Sequence, residues 1–389
     1  MKQGVVLFVL ILSALGAYSN ETGEDSLKNT QLQAGLLLSG GRILRNYPDF
    51  PDRSMSFFAG ADLSVKTRGN RPWHYFLGYP EAGAVVWYGI PGNDSVLGRI
   101  AGICPYLGFD LGRPGSRTML HLRYGMGFAW ISRPYHRTQN PTNNLSGSHL
   151  SNVTTLEFML RQTLAPAWKA SAGVGFMHFS NGHTQLPNLG TNIPSLVVGL
   201  QYTPQVKLVT PDTSLAGYPR PLQFGVEFGL GWHEFGESTE PVGGAKYPVY
   251  SVGFMLSKLT HPVHLWQAGI FINYYTSFHH FIVSQEMYQN RQALHAATVV
   301  LFAGHQLMMG RLGLDVKMGL YLWNPFRRKY HTEIIQKPEP LKMLSSNKLG
   351  VNYYFFDPAR NAFNLYVGIH IKANLGQADF TEFSLGCRF

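Results

Sequence analysis

The run Phe176-Met177-His178-Phe179-Ser180-Asn181-Gly182 sets a hydroxyl two residues from an imidazole, and Pro187-Asn188-Leu189-Gly190-Thr191-Asn192 follows it closely. A serine hydroxyl becomes a useful nucleophile only when a base takes its proton, so a histidine and a serine held together are the minimum for acyl transfer. The residues before the pair alternate: Trp168, Ala170, Ala172, Val174 and Phe176 fall on one side, and Lys169, Ser171, Gly173, Gly175 and Met177 on the other. That is a strand with one apolar face. The same parity puts His178 and Ser180 on the apolar face, about 7 Å apart along the strand. A lone His-x-Ser at a strand end is a weak signal; Asn181-Gly182 and the Pro-Asn-x-Gly loop strengthen it.

The elements that must position this pair follow from composition. Of 389 residues only 14% are charged, 13% are aromatic and 42 are glycine; soluble globular chains carry about 25% charge. Beyond the first twenty residues no apolar run approaches the roughly 18 residues that a membrane-spanning helix needs. Low charge with many short alternating runs predicts instead an all-β fold, a transmembrane antiparallel β-barrel whose apolar residues are diluted by inward-facing polar ones. Residues 1–19, with Lys2, the apolar run Val5 to Leu12 and small residues at Gly16-Ala17, read as an export signal. Cys104 and Cys387 lie in separate strand-like runs and read as unpaired. The net charge of +10 is scattered without a basic block, which argues against nucleic acid and for attraction to anionic lipopolysaccharide.

Alternating segments recur along the chain, the clearest setting Leu120, Leu122, Tyr124, Met126, Phe128 and Trp130 against His121, Arg123, Gly125, Gly127 and Ala129. The count is about 14–16 strands. Residues 20–204 hold strands one to eight and the motif, 205–221 form a Pro-rich periplasmic turn or linker, and 222–389 hold the remaining strands. Glu157, Arg161, Glu227, Asp315 and Lys317 face inward and are expected to pair; His121, His233 and His370 read as pore lining. Gly173, Gly175, Gly225 and Gly229 make room inside. The chain ends in Phe383, Leu385, Cys387 and Phe389 alternating with polar residues, the kind of terminal strand that barrels use as an assembly signal. One large barrel, closed by this strand, is the expected packing; two linked eight-stranded barrels are the alternative.

His178-Phe179-Ser180-Asn181-Gly182 with Pro187-Asn188-Leu189-Gly190 resembles the motif of the outer-membrane lipid A 3-O-deacylases, the PagL-like acyloxyacyl hydrolase family. Asn143-Asn144, Gly147-Ser148-His149-Leu150, Ala378-Asp379-Phe380 and Gly386-Cys387-Arg388-Phe389 are similar to runs in its larger Bacteroidetes-type members. The resemblance implies an outer-membrane esterase that removes an ester-linked 3-hydroxyacyl chain from lipid A, with Ser180 as nucleophile and His178 as base. It implies an oxyanion hole at Asn181 and the Gly182 backbone N–H, and no metal or organic cofactor. The implied partners are lipopolysaccharide and outer-membrane lipids; a homodimer is left open. The family's glutamate falls on Asn192, whose amide oxygen can orient the imidazole but carries no charge. The rival from another class is a porin-like channel, in which the strands would enclose water.

Overall fold

A computed structural model describes residues 32–47, 50–67, 71–113, 115–204, 221–236 and 243–389. The expected export signal and residues 205–220 of the connection lie outside the described residues. Eight strands come first: β1 (Leu32–Gly41), β2 (Ser56–Lys66), β3 (Glu81–Ile90), β4 (Ile100–Leu111), β5 (Thr118–Ile131), β6 (Leu150–Ala165), β7 (Trp168–Ser180) and β8 (Thr191–Tyr202). Eight more follow: β9 (Gln223–Glu234), β10 (Lys246–His261), β11 (His264–Tyr275), β12 (Ala297–Met309), β13 (Leu312–Trp323), β14 (Ser345–Tyr354), β15 (Asn364–Asn374) and β16 (Gln377–Arg388).

These strands form two closed antiparallel barrels of eight, not one of sixteen. The preferred single barrel is thus corrected to the two-barrel alternative, and the reason lies in strand pairing. β8 returns to β1 in register from Ala34↔Tyr202 to Gly41↔Ser195, which leaves neither strand an open edge. β16 pairs β9 in the same way, and the backbones of Phe389 and Phe224 exchange hydrogen bonds of 2.9 and 2.8 Å. The terminal phenylalanine therefore closes only the second sheet. The first closes without such an ending.

Period-2 alternation decides which side chains meet lipid. In β7 and β8, Val174, Phe176, Leu196, Val198 and Leu200 are exposed on the outer surface while Met177, Ile193 and Val197 are buried. Eight strands leave an interior just wide enough for side chains, and both interiors are filled by paired charges. In the first barrel Arg123 Nε lies 2.9 Å from Glu157 and its NH1 3.3 Å from Asp62. Arg161 NH1 reaches Glu81 at 3.0 Å and Asp110 at 3.1 Å, and His121 Nδ1 reaches Asp110 at 2.7 Å. In the second, Lys317 lies 2.9 Å from Asp315 and 3.2 Å from Glu227, and Lys348 2.6 Å from Glu382. Of the inward-facing charges expected to pair with one another, Glu227, Asp315 and Lys317 do so, whereas Glu157 and Arg161 take other partners, Arg123 and the pair Glu81 and Asp110. His121, His233 and His370 are buried and hydrogen-bonded to Asp110, Ser277 and Asp315, so they line no pore. Packed interiors of this kind leave no wide aqueous channel, which removes the structural basis of the porin reading.

Glycines make these interiors fit. A Cβ on Gly229 would sit 2.5 Å from the Glu382 carboxyl carbon, and one on Gly175 2.7 Å from Val197 Cγ2. Both cysteines are free, one in each barrel.

Removing one member of a buried ion pair leaves an uncompensated charge, at a typical cost of about 3–5 kcal/mol. Arg123→Ala, which strands Asp62 and Glu157, should therefore destabilise the first barrel by that order. The readout is loss of the compact, heat-modifiable band on semi-native gels; an unchanged band would mean the network contributes little.

Candidate active site

The candidate site lies where β7 ends and β8 begins. Antiparallel pairing sets His178 opposite Asn192 and Phe179 opposite Thr191, while on the other flank β6 sets Asn152 opposite Ser180 and Thr154 opposite His178. The parity that sends Phe176 and Leu196 to lipid sends His178 and Asn192 the same way. Polar side chains on the lipid face of a barrel are costly unless used, so a cluster at one rim marks a functional surface.

His178 Nδ1 lies 2.7 Å from Asn192 Oδ1. An amide oxygen can only accept, so Nδ1 carries the hydrogen and Nε2 keeps its lone pair. This is the tautomer that a general base needs. Gly190 stands against the ring: a Cβ there would meet His178 Cε1 at 3.1 Å, and its φ of +71° is a left-handed conformation that glycine adopts without strain.

Ser180 is 8% exposed, and its Oγ forms a close pair with the Asn188 amide, 3.0 Å from Nδ2 and 3.2 Å from Oδ1. Asn188 Oδ1 also accepts from the Asn181 backbone N–H at 3.0 Å. With Oδ1 engaged by that N–H, Nδ2 is turned toward the serine. The Asn181 backbone N–H thus orients Asn188. Gly182 follows at φ +64°.

Backbone bonds hold the loop that carries these residues. Leu189 N–H donates to Asn144 O at 3.2 Å and Gly190 N–H to Leu145 O at 3.1 Å. Asn46 Nδ2 donates to Leu189 O at 3.0 Å and Gly190 O at 3.2 Å, and Leu44 N–H donates to Asn192 O at 2.8 Å. The Asn143-Asn144 run and the Pro187–Gly190 loop, far apart in sequence, are thus one structure. His149 stacks on Trp130 with centroids 4.6 Å apart and its Nδ1 2.7 Å from Ile131 O.

Asn188, within Pro-Asn-x-Gly, has no role that the sequence alone shows. Its contact with Ser180 depends on how the loop folds back, and period-2 parity carries no such information. Asn152 was missed because only the β6–β7 register reveals that it faces Ser180.

The second barrel holds a superficially similar set, since His233 Nδ1 lies 2.9 Å from Ser277 Oγ and Nε2 3.7 Å from Asp379 Oδ1. Asp379 is already bound by Arg327, Lys372 and Tyr275 at 2.6, 2.6 and 2.7 Å, and Ser277 is 1% exposed. Ser277 is therefore no accessible nucleophile.

The fold and the family models together define an outer-membrane barrel protein of the hydrolase class. Residues 56–201 match the family model "Lipid A 3-O-deacylase (PagL)" and residues 222–389 match "Acyloxyacyl hydrolase, C-terminal domain". The chain belongs to the PagL-like lipid A deacylase family, and its place is the outer membrane. Among solved structures, the outer membrane enzyme PagL is similar at 17% identity over 44% of this chain and 99% of its own, with a TM-score of 0.33. Neisserial surface protein A (NspA) is similar at 9% identity over 44% and 96%, TM-score 0.29. The N-terminal β-barrel domain of Pseudomonas aeruginosa OprF is similar at 13% over 45% and 100%, TM-score 0.27. No curated protein matches the chain.

The amide at position 192 gives a test. In serine proteases, exchanging the buried acid for an amide costs about 10⁴ in rate, because the amide presents the wrong tautomer. Here the oxygen faces Nδ1, so the tautomer is right and only the charge is missing. Asn192→Glu should raise kcat about tenfold, equivalent to about 1.4 kcal/mol of imidazolium stabilisation. A rate unchanged by the added carboxylate would mean that Asn192 does not act on His178.

Proposed function

We propose that the protein hydrolyses an ester-linked 3-hydroxyacyl chain of lipid A by nucleophilic catalysis at Ser180. The observation that carries this reading is the 2.7 Å contact of His178 Nδ1 with Asn192 Oδ1, on the lipid-facing rim that Ser180 shares. It leaves Nε2 as a base at the depth where an acyl ester of a lipid presents itself. Ser180 Oγ attacks the ester carbonyl carbon while Nε2 of His178 takes the hydroxyl proton. The tetrahedral oxyanion is held by Asn188 Nδ2, which the Asn181 backbone N–H fixes in place. Collapse breaks the bond to the sugar oxygen, which takes the proton back from His178 and leaves as an alcohol. Water then attacks the acyl-serine with His178 again as base, releasing the 3-hydroxy fatty acid and restoring Ser180.

The test is to incubate the purified barrel with hexa-acylated lipopolysaccharide in detergent and to identify the released acid by chromatography and mass spectrometry. The expected product is a 3-hydroxy fatty acid, and a fluorophosphonate that labels Ser180 should stop its release. Absence of any released hydroxy acid would count against the reading.

A further inference from the structure

The loops at the motif end of the first barrel, 42–55, 91–99, 132–149 and 181–190, carry Arg42, Arg45, Arg53, Arg99, Arg133 and Arg137, no lysine, and only Asp49, Asp52 and Asp94 as acids. Arg42, Arg45, Arg99, Arg133 and Arg137 are exposed. Most of these guanidiniums are anchored by neutral groups: Arg42 on Arg53 O at 3.3 Å, Arg45 on Tyr47 O at 3.1 Å, Arg53 on Ile43 O at 2.8 Å and Arg133 on Ser95 O at 3.0 Å. Carbonyl oxygens orient a guanidinium without cancelling its charge. Arg99 has a carboxylate partner, Asp94, at 3.6 Å.

The opposite end of this barrel is basic as well, through Arg71, Arg113 and Arg117, so charge alone singles out nothing. Position does. Arg45 lies between Leu44, whose N–H is bonded to Asn192 O, and Asn46, whose amide is bonded to Leu189 O and Gly190 O. Both neighbours are thus clamped to the loop that holds Asn192 on His178 and Gly190 against the ring. The bond from Arg45 is made by Nε, which leaves the planar fork of its two terminal nitrogens for a bidentate anion.

We infer that Arg45 recognises a phosphomonoester on the sugar whose acyl ester is cleaved, with the surrounding arginines drawing that anion to the rim. This rests on the deacylase reading and deepens it: the substrate is a phosphorylated acyl-glucosamine, and the phosphate fixes which ester reaches Ser180. A phosphate on the sugar ring is a few bonds from an ester oxygen on the same ring. It therefore sits beside the site when the acyl chain lies along the lipid face of β7 and β8.

The experiment compares kinetics on bis-phosphorylated lipid A and on the same lipid after enzymatic dephosphorylation. The native protein should show a KM about tenfold lower for the phosphorylated lipid. Arg45→Gln should erase that difference by raising KM for the phosphorylated lipid alone, with kcat within about twofold. Arg45→Lys should recover only part of it, since an ammonium lacks the fork, and Arg113→Gln, at the opposite end of the barrel, should leave it intact. Competition by inorganic phosphate at millimolar concentration would identify a site for free phosphate, and its absence one for the lipid headgroup; either fits a phosphomonoester site. Equal losses on both lipids, or no loss, would overturn the assignment. Micelle binding by the Ser180→Ala protein separates the two readings. Arg45-dependent and phosphate-dependent binding without any hydrolysis by the native protein would retire the deacylase and leave the phosphate site standing.

Discussion

Ser180→Ala is expected to lower kcat for release of the 3-hydroxy acid by at least about 10⁴-fold, and His178→Asn by a similar factor. Members of a nucleophile–base unit act together, so losing either removes nearly all of their joint effect. The folded barrel should survive both changes. Ser180 and His178 sit at the end of β7, away from the buried charge networks, and losing the Ser180–Asn188 hydrogen bond costs only about 1 kcal/mol. Each variant should therefore keep its heat-modifiable mobility. Undiminished release by either one would remove its residue from the mechanism, whereas a lost gel shift would mean that the fall in rate came from unfolding.

Asn188→Ala is the second large effect. Removing a single oxyanion donor typically costs about 10²–10³ in kcat, and the Asn188 amide is fixed for that task by the Asn181 N–H at 3.0 Å. The loss should appear in kcat with KM nearly unchanged, because the oxyanion exists only after attack. Asn188→Asp, which keeps the acceptor and deletes the donor, should be as severe. If the aspartate variant kept full activity, Asn188 would be an acceptor that merely holds Ser180, and the oxyanion donor would have to be sought elsewhere.

Much of this was legible from parity. The alternation through Val174 and Phe176 put His178 on the lipid face, and counting back from Leu196, Val198 and Leu200 put Asn192 beside it. Strand spacing suffices for both inferences. That Glu157 faces inward is legible on the same terms; that Arg123 is its partner follows only from the register, which sets the two opposite each other. Lys317 and Glu227 belong to strands that are not neighbours, and their contact exists only because the second barrel closes.

Closure was the feature that the sequence hid. Every strand of both barrels alternates alike, and nothing in that pattern distinguishes a β8 that returns to β1 from a β8 that continues into a larger sheet. The terminal Phe389 pulled the expectation toward one barrel because it marks a closing strand. It says nothing of how many strands that closure encloses. The role of Asn188 was hidden for a related reason, since it depends on a loop held by Asn46 and Leu145, residues remote in sequence.

The most direct test of the central claim is mass spectrometry of lipid A from cells carrying the native gene, the Ser180→Ala gene or none. The native protein should convert lipid A to a species lighter by one ester-linked 3-hydroxyacyl chain, with amide-linked chains untouched, and the Ser180→Ala and empty cells should retain the full-length lipid. The same lighter species in Ser180→Ala cells, or a native-gene profile identical to that of cells without the gene, would contradict the account.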